Sequence, residues 1–138
     1  MRIDPPAANP CGSCPYRRDV PSGVWEAMEY RKLPEYDRET YDQPPSIFLC
    51  HQQDGRACAG WCGVHDMNDS LGLRLAQSMG MVDDPEPFFR YETDTPLFKT
   101  GAEAARHGMK DMASPSPKAK RKISTLTDRQ RRRRGEKR

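Results

Sequence analysis

The sequence predicts a small α+β or irregular domain stapled by metal, with about three short helices and a disordered basic C-terminal tail. Three observations carry this expectation. Five cysteines fall into two knots, "CGSCPYRR" at residues 11–18 and "FLCHQQDGRACAGWCGVH" at residues 48–65. Hydrophobic residues make up 35% of the 138-residue chain and charged residues 31%, which allows only a thin core, and small domains with thin cores rely on disulfides or metals. Thirteen prolines and ten glycines break the chain into short elements.

The first helix is expected in "SGVWEAMEYRKL", residues 22–33, with Ser22 as N-cap, Val24, Trp25 and Met28 on one face, and Pro34 as the stop. "SIFLC", residues 46–50, is short and apolar and reads as a strand. The second helix is expected in "DMNDSLGLRLAQSMG", residues 66–80, where Met67, Leu71, Leu75 and Met79 fall four apart and Gly80 suits the C-terminal turn. "FFRYETDTPLF", residues 88–98, reads as extended, held to an edge or loop by Pro96. The third helix is expected in "TGAEAARHG", residues 100–108, with Thr100 and Glu103 as a capping box and Gly108 as the stop. Two Ser-Pro pairs in "ASPSPKAK", residues 113–120, disfavour helix before each proline. The chain therefore divides into a Cys-rich metal-binding domain, 1–112, and a linker with a basic tail, 113–138.

The net charge of +3 conceals an asymmetry. Residues 118–138 hold eleven Lys and Arg against two acids, whereas residues 1–117 hold 12 basic and 18 acidic residues. An acidic body with a basic arm points to phosphate contacts through the arm. Its candidate contacts are Lys118, Lys120, Arg121, Lys122, Arg129, Arg131, Arg132, Arg133, Arg134, Lys137 and Arg138. No apolar run reaches the roughly 18 residues that span a bilayer, and "MRIDPPAANP" lacks the apolar centre of a secretory signal, so no membrane partner and a cytoplasmic location are expected. In that reducing compartment, cysteines hold metal more often than they form disulfides.

Cys11 and Cys14 form a C-x2-C pair, a spacing that turns two thiolates toward one ion, and Gly12 permits the tight turn. A dithiol redox pair would want a parallel-sheet context that the sequence does not offer. Cys50, at the end of the apolar strand, and Cys58, before the small residues Ala59 and Gly60, complete a four-thiolate set. Cys62 reads equally as a small buried hydrophobe, and His65 is the other group that could fill a coordination position. His51 diverges from its neighbour Cys50 in an extended segment and is expected to bond a thiolate rather than the ion. Zinc is the expected metal, with an iron–sulfur cluster as the alternative, since four cysteines hold either and "CP" suits a cluster.

With "CGSCPYRRDVPSG", "FLCHQQDGRACAGW", "LGLRLA" and "PLFKTGAEAARHGM", the chain resembles a family of small uncharacterised Cys-rich proteins from actinobacteria and their phages. The resemblance covers most of residues 11–110, implies a shared pattern at Cys11, Cys14, Cys50, His51 and Cys58, and brings no activity with it. A "GVW" turn and the cysteine number are also similar to the WhiB-like iron–sulfur regulators, although the cysteine spacing departs from theirs.

The functional expectation is a metal-binding accessory or regulatory protein, not an enzyme, that meets the DNA or RNA backbone through its tail. An iron–sulfur redox or metal sensor is one alternative and a protein-interaction module the other. No H-E-x-x-H, nucleophile elbow or phosphate-binding glycine loop is present, and four thiolates on zinc leave no open position for water. Tyr16 and Trp61 could stack on bases and Arg17 and Arg18 could meet phosphate. The plainer reading sets the tryptophans in the core and pairs the arginines with acids of the body.

Overall fold

The computed structural model describes residues 1–133. Six α-helices are described: α1 Ala27–Lys32, α2 Ala59–Val64, α3 Leu71–Ser78, α4 Glu86–Phe89, α5 Gly101–Met109 and α6 Pro117–Arg133. Short 3-10 turns span Leu33–Asp37, Thr40–Asp42 and Met67–Asp69. Among the described residues β-pairing is confined to isolated bridges, Asp4 with Arg56, Arg17 with Leu97 and Leu49 with Ala57. The fold is thus small, mostly helical and irregular. The expected strand at 46–50 is reduced to one bridge because its partner, residues 56–58, turns directly into α2.

The first helix starts at Ala27, not after Ser22. Ser22 instead ties the chain to the end of α5, donating to the Gly108 carbonyl (3.0 Å) and accepting from the Asp111 amide (2.8 Å). Pro34 does not end the helical path. It sits in the first turn of a 3-10 helix, where its missing N–H costs nothing. In α3 the Ser70 hydroxyl caps the Leu73 amide at 3.2 Å. Its buried face is Gly72, Leu73 and Ala76 rather than the Leu71–Leu75–Met79 stripe, and Met79 is 71% exposed. Gly72 sets this rotation, because its bare Cα lies against the Ser46–Ile47 backbone. The capping box of α5 is present, with the Thr100 hydroxyl accepting from the Glu103 amide at 3.1 Å.

Gly108 does not stop α5; it lies inside the helix, against the Tyr30 ring of α1. Gly101 likewise lets α5 approach the Leu33 carbonyl. The packing of α5 on α1 and the following turn therefore depends on two missing side chains. A Cβ at Gly108 would overlap the Tyr30 ring. Gly108→Ala should destabilise the fold by about 1–3 kcal/mol, the usual cost of overpacking, despite the better helix propensity of alanine. Chemical denaturation would measure it.

The main core gathers Tyr16, Tyr30, Leu33, Phe48, Trp61, Leu73 and Phe88 around α2. A second, smaller cluster is formed by Val20, Val24, Ala119 and Leu126, with Trp25 against it. That cluster corrects the expectation of disorder for the part of the tail that forms α6. From Pro117 to Arg133 the segment is helical, capped at its start by the Ser116 hydroxyl, which accepts from the Ala119 amide at 3.1 Å. Ala119 and Leu126 are seven residues apart, two helical turns, so a single small apolar stripe suffices to dock a strongly cationic helix. Arg134, Lys137 and Arg138 lie outside the described residues.

Candidate metal centre

The two cysteine knots meet. The C-x2-C turn is closed by the Cys14 amide on the Cys11 carbonyl (3.0 Å), and the chain turns again where the Arg17 amide meets the Cys14 carbonyl (3.0 Å). The second knot folds back on itself. The Cys50 amide bonds the Arg56 carbonyl and the Cys58 amide the Phe48 carbonyl, both at 2.8 Å. Gly55, at φ +74°, lies in the reversal that pairs Leu49 with Ala57 and so brings the segments bearing Cys50 and Cys58 together.

The four thiols fall into two pairs. The sulfurs of Cys14 and Cys58 are 3.8 Å apart, Cys11 and Cys50 lie close enough to shift one another, and the Cys11 sulfur is 3.9 Å from the Ser13 hydroxyl. All five cysteines are free. Among the described residues no three His, Cys, Asp or Glu side chains are drawn together as a finished cage. Hydrogen bonding with Cys11, the Gln52 and Gln53 amides and the nearby His51 together outweigh burial and pull Cys50 down to about 5. Cys11 is correspondingly pushed up by the same bond and by burial. Cys14 is lowered by its bond with Cys58 and by the Tyr16 and Gly60 amides, while Cys58 is raised by Cys14 and by burial.

The Trp61 amide donates to the Cys58 sulfur (3.5 Å), and nearby backbone amides act to lower the other three thiols, Ser13 on Cys11, Tyr16 and Gly60 on Cys14, and Gln52 and Gln53 on Cys50. Such N–H groups stabilise sulfur that carries negative charge. Gly60 is needed for its share, since a Cβ there would meet both the Cys14 sulfur and, at 2.9 Å, the Tyr16 Cβ. Cys62 differs: its thiol is pushed up by burial alone, and it packs as a small apolar side chain.

The histidines are engaged elsewhere. His51 pairs with Glu29, lies tilted against Trp25 at 4.6 Å between ring centroids, and sits near enough to Cys50 to lower it. His65 faces the Trp61 carbonyl with Nδ1 (3.0 Å) and the Asp37 carboxylate with Nε2 (2.9 Å). Asp37 also accepts from the Gly101 and Ala102 amides, so His65 joins α2 to the start of α5. His107 donates to the Val20 carbonyl at 2.7 Å.

The residues after the knuckle follow the plainer expectation. Arg17 forks onto Asp19 at 2.8 and 2.7 Å and also reaches the Pro10 carbonyl, while Arg18 pairs with Glu103 and lies over the Phe98 ring. Tyr16 and Trp61 are buried and have no face open for a base. Trp25 is half-buried, and its indole N–H donates to the Ser13 carbonyl at 2.7 Å.

The tail cations divide. Lys122 donates to the Gly12 carbonyl (2.7 Å), Lys118 to the Asp19 carbonyl (3.4 Å), and Arg129 to the Gln52 side chain. Lys120, Arg121, Arg131 and Arg132 are exposed. Arg133 ends α6. The sequence did not signal that α6 would lie against both cysteine loops. Its only pointer was the spacing of Ala119 and Leu126.

The family model DUF6283 matches residues 6–129. The chain belongs to this family of unknown function. The DUF6283 match takes in all four paired cysteines and runs through α6 to Arg129, so helix and cysteine loops fall within one family unit. No curated protein and no solved structure matches the chain.

Proposed function

We infer that this DUF6283 chain is a small metal-binding accessory protein in which Cys11, Cys14, Cys50 and Cys58 hold one zinc ion and α6 meets the nucleic-acid backbone. The observation that carries the metal reading is the meeting of the two cysteine loops, which brings the Cys14 and Cys58 sulfurs to 3.8 Å with the Trp61 amide on Cys58 and sets Cys11 and Cys50 close enough to shift one another, whereas Cys62 is shifted by burial alone. Thiols that only pack need no such neighbours; thiolates around a cation do. The spacing agrees. Metal–sulfur bonds of about 2.3 Å in a tetrahedron set neighbouring sulfurs about 3.8 Å apart, and Cys14 and Cys58 stand at 3.8 Å. Two thiolates on one iron of a [2Fe–2S] cluster would stand at the same spacing, so metal analysis decides between zinc and iron. Four thiolates on a divalent ion leave two negative charges, and Arg17, Lys122 and His51 lie around the site to balance them.

Such a centre is closed to water and serves the fold, which fits a binding module rather than an enzyme. A reducing, cytoplasmic setting would keep the thiolates available. Among the described residues no helix is long and apolar enough to cross a membrane. The nucleic-acid reading rests on the cationic surface of α6, whose only acidic residue is Asp128.

Metal analysis of protein purified without air tests the centre. One zinc per chain in a colourless protein is the expected result. Iron with sulfide and visible absorption would replace zinc by a cluster, and protein without metal would remove the centre.

A further inference from the structure

A cleft of about 340 Å³ lies where α6 crosses the two cysteine loops. One wall is Gly12, Ser13 and Gln52; the other is a stripe of α6 bearing Lys118, Arg121, Lys122 and Arg129. Among the described residues no carboxylate lines it. Among the described residues three of the four cations hydrogen-bond neutral oxygens, the carbonyls of Asp19 and Gly12 and the Gln52 amide, and Lys118 also lies near the Asp19 carboxylate. Arg121 is exposed, and only its carbonyl is engaged, by the Thr125 hydroxyl at 3.0 Å. Cations spaced three and four apart on one helix face repel one another, and an acidic body offers carboxylates that could have neutralised them. Here the stripe is turned instead toward backbone and amide groups. The neutral groups of the cleft are held in place by their own bonds: the Gln52 amide donates to the buried Ser13 hydroxyl and accepts from Arg129, and the Thr125 hydroxyl donates to the Arg121 carbonyl.

We propose that this cleft is a phosphate-binding site, built jointly by the cysteine loops and α6, that seats one phosphodiester group of a nucleic-acid backbone. The proposal rests on the reading of α6 as the nucleic-acid surface and narrows it. Contact is made at a formed pocket rather than by diffuse attraction to every cation of the helix. Bidentate guanidinium contacts from Arg121 and Arg129 and the point charge of Lys122 match a tetrahedral oxyanion. Both loop walls are set by the cysteines. Gly12 and Ser13 lie between Cys11 and Cys14, and Gln52 lies two residues after Cys50. The loop wall of the pocket thus lies next to the proposed metal ligands.

Two double variants of the full chain, each removing two cations, test this. The first is Arg121→Ser with Lys122→Ser, inside the cleft. The second is Lys120→Ser with Arg131→Ser, outside it. Binding to a labelled single-stranded oligonucleotide and to a duplex of the same sequence is measured at fixed salt, with inorganic phosphate as competitor. The cleft pair should weaken binding about tenfold or more and the outer pair about threefold or less, since the outer pair removes only screened charge. Inorganic phosphate should compete on the wild type better than chloride at equal ionic strength. Equal losses from both pairs, or no advantage of phosphate over chloride, would overturn the cleft and leave α6 as a diffuse cationic surface. No binding by the wild type at low salt would overturn the nucleic-acid reading and the cleft with it. If the cleft pair loses metal, Arg121→Ser alone replaces it, because that guanidinium bonds neither loop. An undiminished affinity in that variant would also overturn the proposal.

Discussion

Replacing Cys14 with Ser should abolish metal binding and unfold the domain, and Cys11→Ser, Cys50→Ser and Cys58→Ser should do the same. Cys62→Ala should keep one metal per chain. The difference follows from the surroundings of the sulfurs. Each of the four is shifted by a neighbouring cysteine and by a backbone amide, whereas Cys62 is shifted by burial alone. Structural zinc sites contribute on the order of 10 kcal/mol or more near neutral pH, as much as the whole stability of a typical domain. The loss is therefore expected to be total rather than graded. Cys62→Ala should cost about 1 kcal/mol through the small void it leaves. Metal content by mass spectrometry under non-denaturing conditions, with circular dichroism beside it, separates the classes. Full metal in Cys50→Ser, or its loss in Cys62→Ala, would redraw the ligand set.

Ending the chain at Ser116 should remove nearly all nucleic-acid binding and also weaken the body, while metal is retained. Residues 1–117 carry 12 basic and 18 acidic residues, so what remains repels a polyanion. For the full chain, neutralising about six phosphates on duplex DNA should give a log–log salt slope near −5. The stability cost has a separate origin. Ala119 and Leu126 cover Val20 and Val24, and uncovering such a cluster costs about 2–4 kcal/mol at the usual value per buried aliphatic side chain. A tail that served only as a loose arm would give the first effect without the second. A shift in thermal midpoint on truncation thus distinguishes a docked helix from an arm, and strong salt-insensitive binding by the truncated body would move recognition to the cysteine knuckle.

Several features were legible in the sequence because they are local. The C-x2-C spacing with Gly12 dictates a tight turn wherever it stands. Thr100 and Glu103 announce the start of α5 because a capping box is satisfied within four residues. Thinness of core and separation of charge are properties of composition, and they hold in any fold. The preference of Arg17 and Arg18 for acids of the body followed from the same count.

What the tertiary structure alone decided depends on groups distant in the chain. Ser22 reads as a helix cap by its neighbours, yet Gly108 and Asp111 take its hydroxyl. Gly108 reads as a helix stop, yet the Tyr30 ring needs the space where its side chain would stand. The pairing of Cys14 with Cys58 and of Cys11 with Cys50 is fixed by how two loops cross, which spacing within either loop does not encode. The tail shows the same limit most clearly. Its composition alone reads as a solvated basic arm, because two apolar side chains in a cationic run are too few to fold it in isolation. Val20, Val24 and Trp25, about a hundred residues earlier in the chain, supply the surface on which those two side chains become enough. Helix α6 then lies beside the cysteine loops, and their proximity turns a run of charges into a cleft.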